Sequence, residues 1–459
     1  MFHLISINCR YSHSCLALFY VRNALEQQLP EQPLIFSQFT INDPYYATLL
    51  RISGESTKAL FFSVYIWNHR FIRRLINDLA QLRPNLAIIL GGPQAQALGE
   101  LPAQCTLFLG EIEGAPKEFY QNLEKGCLQS LYRAEKAHSF PSPYRQEDFT
   151  GALKNRQFYY ESSRGCPFSC SYCCNSFLSK LYETKRIRRR SPHNVIAELR
   201  SEVGKFPELI LINIHDDCFL AHSREWHQEF VKDYKKWINR PFIVRSTPLH
   251  LTEEKIKILK EAGLAWVTMG LQSGSERINR EVYCRNVPNE KFIDATRLAK
   301  QYGVSGYYDV ILDNPFEEER DVVETLTVLG KIPKPFQLQL FTLTFYQGTD
   351  LYRMMQEKMG EKGTRNIKNY FSYRPTFVNK LVRISPLISS ALLHALIDHR
   401  KTIAARILLA PLHCVIVILV EPLSYFYLML KGFNYNLLLT LKIALPTFKT
   451  KIRERLMNF

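Results

Sequence analysis

Three cysteines stand close together in the middle of the chain, in the run Cys166-Pro-Phe-Ser-Cys170-Ser-Tyr-Cys173. Thiolates are the usual ligands of iron–sulfur clusters, and a four-iron cluster normally takes four of them, one for each iron. This compact loop supplies three thiolates without an evident fourth. A cluster held here would leave one iron open to a ligand from outside the protein, and the spacing therefore predicts a cluster at which chemistry occurs.

The same cysteines allow a second interpretation. Structural zinc sites often combine three cysteines with one histidine, which could come from elsewhere in the chain. Cys174 follows the run directly and could compete as a ligand. We expect it to point away from the cluster on an extended loop and to be buried as a small apolar side chain.

The cysteine spacing and the aromatic Tyr172 resemble the cluster loop of the radical SAM superfamily. The preceding segment, residues 159–165, resembles the first barrel strand of that superfamily and runs into the loop. The resemblance implies that Cys166, Cys170 and Cys173 hold a [4Fe–4S] cluster whose open iron binds S-adenosylmethionine. It also implies that reductive cleavage of this molecule gives a 5′-deoxyadenosyl radical, with Tyr172 lying against the adenine.

Composition bounds the other possibilities. A chain of 459 residues is long enough for two or three domains, each with its own core. Lys and Arg number 59 against 43 Asp and Glu, a net charge of +16, which suits nucleic acid, an anionic membrane or acidic substrates without choosing among them. The 11 cysteines show no disulfide framework, so we expect a reducing cytoplasm. The apolar N-terminus is predicted to be a strand rather than an export signal.

Residues 1–135 alternate short apolar runs with helical patterns, which predicts an open, doubly wound parallel sheet of the Rossmann-like (flavodoxin-like) kind. Ligands of such sheets lie beyond the carboxyl ends of the strands. The predicted strands are 4–7, 34–36, 59–64, 87–90 and 106–109, and the predicted helices are 15–28, 70–81 and 116–123.

Ser63 and Tyr65 follow the third of these strands, and Gly91 and Gly92 follow the fourth. Paired glycines let a backbone approach a large ligand, although they also simply make turns. Together, and upstream of the cluster loop, these residues resemble the cobalamin-binding domain of B12-dependent radical SAM proteins. The resemblance covers roughly residues 1–350 and implies that all four residues line a cobalamin groove.

One element of many cobalamin domains is missing. The Asp-x-His-x-x-Gly pattern that supplies an axial histidine is absent, and only Tyr11-Ser-His13-Ser occupies that region. His13 is a candidate cobalt ligand, and an ordinary loop histidine is the alternative. Loss of this ligand accompanies methyl transfer in the family that the chain resembles.

Residues 150–350 continue the alternation and predict a partial TIM-type (β/α)6 barrel, whose catalytic groups cluster at the carboxyl ends of the strands. The predicted strands are 209–215, 242–246, 266–270, 305–311 and 337–344, and the predicted helices are 192–204, 223–237, 252–262, 289–302 and 318–329. Polar residues stand at several strand ends. They are Asp216, Asp217, Arg245, Ser246, Gln272, Ser273, Ser275, Glu276, Asp313 and Asn314.

Residues 270–276 resemble the radical SAM element that contacts the nucleoside. This resemblance implies cofactor contacts for Gln272, Ser273 and Glu276, and Arg245 is a further candidate. Ser275 and Asp313 could instead cap helices. One of Asp216 and Asp217 should face the site while the other makes a turn, and the sequence does not say which. The basic run 185–190 suits a solvated loop as well as a phosphate site, so we assign it no role.

The region 375–459 is helical, apolar and basic. Its uninterrupted apolar run, Ile407 to Val420, is shorter than the ~20 residues that span a bilayer, and Glu421 and Pro422 end it. Extending the stretch through Leu430 would reach spanning length, but we expect the acidic residue and the two prolines to prevent this. Such a segment suits an interfacial helix on an anionic membrane surface. A helical cap packed over the barrel is the alternative.

The sequence thus predicts a cytoplasmic α/β enzyme, with peripheral contact at the inner face of the membrane as an option. By resemblance it would use a [4Fe–4S] cluster, S-adenosylmethionine and cobalamin to methylate or rearrange an unactivated carbon. We expect a small-molecule or lipid-like substrate rather than nucleic acid, and a reductant such as flavodoxin or ferredoxin. Two alternatives stay open. One is a methylthiotransferase acting on RNA or protein, which would need three further cluster cysteines in the first domain, where Cys9, Cys15, Cys105 and Cys127 are present. The other is a membrane-surface metal-binding protein without turnover.

Overall fold

The computed structural model describes residues 1–9, 15–135, 137, 140–145, 148, 158–181, 187–207, 209–360 and 373–457. His13 lies outside these residues, so the prediction made for it stays open. Of the basic run at 185–190, only the first two residues lie outside them, and in the described part Arg188 pairs with Glu111 and Arg190 with Glu198.

A six-stranded parallel sheet forms the first part of the chain, in the order β2-β1-β3-β4-β5-β6. Apolar clusters cover both of its faces, which explains why the first strand is buried along its whole length. The strands are β1 Phe2–Asn8, β2 Leu34–Thr40, β3 Ala59–Ser63, β4 Ala87–Gly91, β5 Cys105–Leu109 and β6 Leu131–Arg133, and the helices are α1 Leu16–Gln28, α2 Tyr45–Ile52, α3 His69–Leu82 and α4 Lys117–Lys125.

A second six-stranded parallel sheet has the order β14-β13-β12-β11-β10-β7 and forms the partial barrel. The side chains of Ser191, Ser223 and Thr252 each accept a backbone N–H at the start of a barrel helix, as N-caps do. The strands are β7 Tyr159–Tyr160, β10 Ile212–Ile214, β11 Phe242–Ser246, β12 Leu264–Gln272, β13 Ser305–Leu312 and β14 Gln337–Thr342, and the helices are α6 Pro192–Lys205, α7 Arg224–Trp237, α8 Glu253–Glu261, α9 Asn289–Gln301, α10 Glu319–Lys331 and α11 Asp350–Met359.

A two-stranded antiparallel hairpin stands at the barrel entrance. Its strands are β8 Ser163–Arg164 and β9 Arg188–Arg189, and helix α5, Cys174–Leu181, lies between them in the chain. The cluster loop therefore leaves the barrel directly from β8. Strands of only two residues have no detectable sequence period, so this hairpin could not be predicted.

The last part of the chain is helical, with α12 Phe377–Ile384, α13 Ser390–Asp398, α14 Ile403–Val415, α15 Glu421–Gly432 and α16 Leu437–Met457. Helices α15 and α16 pack against the beginnings of barrel strands: Leu428 and Met429 share an apolar cluster with Ala265 and Trp266, and the Ser305 hydroxyl donates to the carbonyl of Leu428. This side of the region is a packed cap.

The helix continues past Glu421 and Pro422 and reaches spanning length, so the expectation that the acidic residue and the prolines prevent this is wrong. A π-helical turn, Ile416–Val420, joins α14 to α15, so that one helix runs from Ile403 to Gly432. Pro422 follows directly after the π turn, where the hydrogen-bond ladder is already irregular. In the described part of the chain, this helix is long and apolar enough to cross a membrane by length and composition.

Candidate functional site

A cavity of about 420 Å³ lies where the carboxyl ends of the first sheet meet the barrel entrance. Ser63, Tyr65, Gly91 and Gly92 line it from the first sheet, and Cys166 lines it from the cluster loop. These five residues were predicted separately, on two domains, and the structure brings them into one space. Its volume falls in the usual range of ligand sites.

The two glycines in this wall differ in how much space surrounds them. Gly92 has a φ of +94°, and a Cβ there would lie 2.7 Å from the backbone N and O of Val64. The loop therefore needs glycine at this position whether or not a ligand is bound. At Gly91 a Cβ would meet nothing closer than the Phe108 carbonyl at 3.6 Å, so this residue has room inside the protein.

Polar groups with few partners cluster beside the glycines. Tyr65 stacks on Trp67 with ring centroids 4.5 Å apart, and its hydroxyl lies 3.8 Å from the Cys15 thiol. The buried Ser63 hydroxyl stands nearby but makes no hydrogen bond of normal geometry. An unsatisfied buried hydroxyl costs free energy, and a ligand in the cavity would offer it a partner.

The cluster loop is anchored to the barrel by backbone contacts. The Ser171 amide donates to the Tyr283 carbonyl at 2.9 Å, the Ser171 hydroxyl donates to the Val282 carbonyl, and the Leu351 amide donates to Ser171. The Tyr172 ring meets the Tyr283 ring edge to face, with centroids 5.0 Å apart. The loop is thus fixed independently of any bound group.

Burial raises the pKa of the Cys166 and Cys170 thiols, while nearby Arg285 opposes this shift at Cys170. The pKa of Cys173 is also raised, first by the hydrogen bond with Cys174 and then by burial. Partly enclosed thiols gain most from a bound cation, because a metal holds them as thiolates. Three such thiols on one anchored loop fit a [4Fe–4S] cluster with one open iron.

The zinc alternative requires four donors around one ion. Within the described residues, no group of three or more His, Cys, Asp or Glu side chains could hold a single metal ion. The structure therefore offers no support for a mononuclear zinc site at this loop.

Cys174 differs from the expectation. It begins helix α5 instead of lying on an extended loop, and it is half-buried. A hydrogen bond with the Cys173 thiol lowers the pKa of Cys174, and the residue also lies close to Tyr65. The prediction of an extended loop is therefore wrong, and Cys174 is a thiol hydrogen-bonded to its neighbour rather than only a small apolar side chain.

The two adjacent aspartates have separate roles. Asp216 is buried and accepts hydrogen bonds from the Ser162 amide at 2.7 Å and from the hydroxyls of Ser162 and Ser163, which fixes the strand before the cluster loop. Asp217 lines the cavity beside Cys166, and burial raises its pKa. The structure thus identifies Asp217 as the aspartate that faces the site.

Five charged residues join the two domains along the cavity wall, and the sequence analysis missed their connection. Arg188 pairs with both carboxylate oxygens of Glu111, at 2.7 Å for one of them. Arg164 lies 2.8 Å from Glu113 and 2.7 Å from Glu161. Although burial opposes ionisation, the hydrogen bond from Arg188 holds the pKa of Glu111 below its ordinary value. No local pattern could have shown this network, because its members come from distant segments.

The predicted nucleoside contacts lie outside this cavity. Ser273 is fully buried, and its hydroxyl donates to Glu317 at 3.0 Å. Glu276 is exposed and accepts from the Asn289 amide at the start of α9. Gln272 has a φ of +67°, and Arg245 stands exposed at the end of β11. Their cofactor contacts, like that of Tyr172, stay predictions, and the structure gives Ser273 and Glu276 positioning roles.

Asp309, at the start of a segment whose resemblance to the family extends to Glu317, was given no role from the sequence, and it lies near Arg245 and Arg285. Burial raises its pKa to about 7, against the opposing effect of these two arginines. Its Oδ1 is buried without a hydrogen-bond partner. A charged residue within a buried strand was the available signal.

The sequence left open whether Asp313 caps a helix or contacts the cofactor. In the structure the Asp313 carboxylate accepts hydrogen bonds from the Arg374 amide and from the Asn379 side chain, and so anchors α12.

The cysteines that a second cluster would need do not converge. Cys105 begins β5 inside the apolar core, Cys127 is exposed after α4, and Cys15 faces Tyr65. Cys9 and Cys15 follow the carboxyl end of β1, whereas Cys105 and Cys127 precede or begin β5 and β6, at the opposite edge of the same parallel sheet. No three of these four cysteines therefore share one edge.

A family model described as the Radical SAM superfamily matches residues 160–329. Among similar proteins, an uncharacterised methyltransferase of Pyrococcus horikoshii is 28% identical over 194 residues, 42% of this chain and 40% of that protein. The cytidylyl-2-hydroxyethylphosphonate methyltransferase of Streptomyces wedmorensis is 25% identical over 291 residues, 60% and 49% of the two chains. A Methanocaldococcus jannaschii protein named as a methylthiotransferase is 24% identical over 191 residues, 40% of each. The matches span less than half the length of each relative.

Two solved structures share the fold over most of the chain. The radical S-adenosylmethionine methyltransferase TsrM from Kitasatospora setae, with cobalamin and a [4Fe–4S] cluster bound, has a TM-score of 0.56 and 14% identity over 78% of each chain. The cobalamin-dependent S-adenosylmethionine radical enzyme OxsB, with aqua-cobalamin bound, has a TM-score of 0.63 and 13% identity over 99% of this chain and 81% of its own. At these identities the likeness is one of fold.

Proposed function

Because the chain carries a radical SAM domain in the fold of the cobalamin-dependent radical SAM enzymes, we propose that it is a radical enzyme that methylates an unactivated carbon. The observation that carries the proposal is the shared cavity, lined by Ser63, Gly91 and Gly92 on one side and by Cys166 on the other. A cofactor held by the first sheet would there stand next to the cluster loop.

In this proposal Cys166, Cys170 and Cys173 hold a [4Fe–4S] cluster, and Ser63, Tyr65, Gly91 and Gly92 hold cobalamin. When bound, the cluster supplies the electron that cleaves S-adenosylmethionine, and cobalamin supplies the methyl group. The chain itself positions these groups. Asp216 fixes the strand before the loop, Ser171 ties the loop to the barrel, and apolar lining residues such as Leu16, Phe61 and Ile89 limit the access of water to the cavity.

The experiment is anaerobic purification with iron, sulfide and cobalt analysis and an ultraviolet–visible spectrum. Single changes of Cys166, Cys170 or Cys173 to Ala should abolish the cluster and the formation of 5′-deoxyadenosine, because each removes one of three thiolates. The matched control is Cys127→Ala, at an exposed position away from the loop. If Cys173→Ala kept its iron while Cys174→Ala lost it, the ligand assignment would be off by one residue. Wild-type protein that retained no cobalt after reconstitution with hydroxocobalamin would refute the cobalamin part.

We further propose that the substrate is a small, lipid-like molecule that the enzyme meets at a membrane surface. The helix Ile403–Gly432 supports this, since only 17% of its most apolar stretch is buried, whereas the core helix of a soluble protein is mostly buried. Every fourth residue from Ile403 to Tyr427 is apolar and exposed: Ile403, Ile407, Pro411, Val415, Leu419, Leu423 and Tyr427. We call this row the outer stripe.

The opposite side of the same helix packs on the protein. Leu409 and Ile416 join the main core, and Glu421 pairs with Arg383 at 3.1 Å. A helix with one face on the barrel cannot be surrounded by lipid. It therefore lies in the membrane interface, with the outer stripe in the lipid and basic residues such as Arg406 near the headgroups. The enzyme would work in the cytoplasm at the inner face of the membrane, reduced by a protein such as flavodoxin or ferredoxin.

A further inference from the structure

A second cavity, of about 250 Å³, lies at the open edge of the barrel, between β14 and the helices α12 and α15. Its lining combines apolar residues of β14 and of the segment before α13 with six polar or charged side chains: Tyr307, Gln337, Gln339, Tyr373, Arg383 and Glu421. It shares none of these residues with the cavity at the cluster loop. The geometry points to a binding site for an uncharged, hydroxyl-rich group, the polar head of an amphiphilic substrate. This inference rests on the proposed function only in identifying the ligand as the substrate.

The first observation is an unsatisfied donor. Gln337 is 8% exposed, lines the cavity, and its Nε2 has no hydrogen-bond partner. A buried amide without a partner is unfavourable, so the site gains free energy from any ligand that brings an acceptor. Gln339 adds a second amide on the same side of β14, because residues two apart on a strand share a face.

The second observation is the charge balance. Glu421 is the single acidic residue in the helix from Ile403 to Gly432, and it pairs with Arg383, which also donates to the Tyr373 hydroxyl at 3.3 Å. The two charges cancel each other, so neither an anion nor a cation finds an unpaired opposite charge. What remains to bind a ligand are the amides of Gln337 and Gln339, which donate to and accept from alcohols, with the Tyr373 hydroxyl beside them.

Strand register connects this site to the barrel mouth. Tyr307 pairs with Gln337, Asp309 with Gln339, and Ile311 with Phe341. These pairs share one face, so the face changes from polar at the start of β14 to apolar towards its end. With about 3.3 Å per residue, Gln337 and Phe341 lie roughly 13 Å apart. A molecule with its hydroxyl-rich head at Gln337 would place an apolar portion at the carboxyl ends of the strands. The carbon that is methylated in the proposed reaction must lie there, because catalytic groups of such barrels cluster at these ends.

The test uses n-octyl-β-D-glucoside below its critical micelle concentration as the probe, with calorimetry as the readout. Octyl sulfate and octyltrimethylammonium carry the same tail with charged heads. We expect wild-type protein to bind the glucoside and Gln337→Leu to bind it about tenfold more weakly, the loss expected for a missing hydrogen bond. Gln81→Leu, at an exposed position on α3, is the matched control and should bind as wild type does.

The charged-head probes should bind wild-type protein and Gln337→Leu equally, through the outer stripe alone. Equal glucoside affinity in wild type and Gln337→Leu would overturn the inference. A tenfold loss in Gln337→Leu for the glucoside, the sulfate and the trimethylammonium probe alike would overturn it too. If Gln337→Leu does not fold, Tyr373→Phe removes a hydroxyl without changing shape and should weaken the glucoside in the same way. Iron, cobalt and 5′-deoxyadenosine are measured on the same preparations. Their absence with glucoside binding intact would refute the proposed function and leave this site standing.

Discussion

Two neighbouring glycines in the cavity wall differ in whether the fold itself requires a glycine at that position. Gly92 has a left-handed backbone and no space for a Cβ, so replacing it would distort the loop itself. Gly91 lines the same cavity but has room for a side chain within the protein. Gly91 is therefore the informative position for testing whether the cavity holds a cofactor.

We expect Gly91→Leu to fold with its cluster spectrum intact and to bind hydroxocobalamin at least tenfold more weakly, because the added side chain would occupy ligand space. Cobalt retained after desalting, together with the absorbance of the cluster, measures both effects. The control is Gly204→Leu, where nothing lies within 4 Å of the added Cβ. Equal cobalt in Gly91→Leu and wild type would show that the ligand does not approach this strand end.

Asp309 gives a prediction about pH. Its pKa is raised to about 7, mainly by burial, so the folded protein holds a proton that the unfolded chain releases near pH 4. Stability is therefore lost as pH rises from about 4 through 7. Asp309→Asn removes this loss. The difference in the free energy of unfolding between the variant and wild type should therefore shift by about 2 kcal/mol in favour of the variant from pH 5 to pH 8.

Urea unfolding of the protein without added ligands, at pH 5 and pH 8, measures this difference. Asp398→Asn, at an exposed position, should follow the wild-type profile. Parallel pH profiles for Asp309→Asn and wild type would show that the carboxylate is ionised at neutral pH after all.

At the scale of elements, the sequence predicted most of what is local. The buried strands of both sheets, the barrel helices and the cysteine loop follow from periodicity and spacing that extend over a few residues. The interface between the domains does not, since Glu111 and Arg188 are 77 positions apart and meet only in three dimensions. Arg285 beside Cys170 and the choice between Asp216 and Asp217 escaped prediction for the same reason.

The hairpin β8–β9 carries the cluster loop, and the Glu111 pair ties this hairpin to the first sheet. We expect Glu111→Ala to lower the free energy of unfolding by about 3 kcal/mol, because it removes the carboxylate that neutralises the partly buried Arg188. Arg188→Ala should cost a similar amount, and the double variant less than the sum of the two. Since the pKa of Glu111 is lowered, this contribution is lost as pH falls below about 4. Glu124→Ala on the exposed side of α4 is the control, and strict additivity of the pair would show that the two residues do not interact.

At the scale of the whole molecule, the last helices pack on the barrel with one side and expose an apolar surface on the other. Their inner side completes the barrel through Leu428, Met429 and the Ser305 bond, while the outer stripe is left uncovered in the described structure. The interfacial helix and the packed cap, which the sequence analysis set against each other, are therefore compatible. Ending the chain near Asn379 would uncover the barrel core, so point changes are the better test of membrane contact.

We expect full-length protein to co-sediment with anionic vesicles at low salt, and the triple variant Ile407→Ser, Leu419→Ser, Leu423→Ser to stay in the supernatant. These side chains are 59–70% exposed, so the changes remove lipid contact without opening the core. Basic residues near the surface each add about 1 kcal/mol to binding, so high salt should weaken the wild-type interaction. Leu50→Ser with Leu82→Ser, two exposed changes on the first domain, is the control. Equal recovery of wild type and triple variant in the supernatant would remove the membrane from the proposal, and the outer stripe would then need another partner.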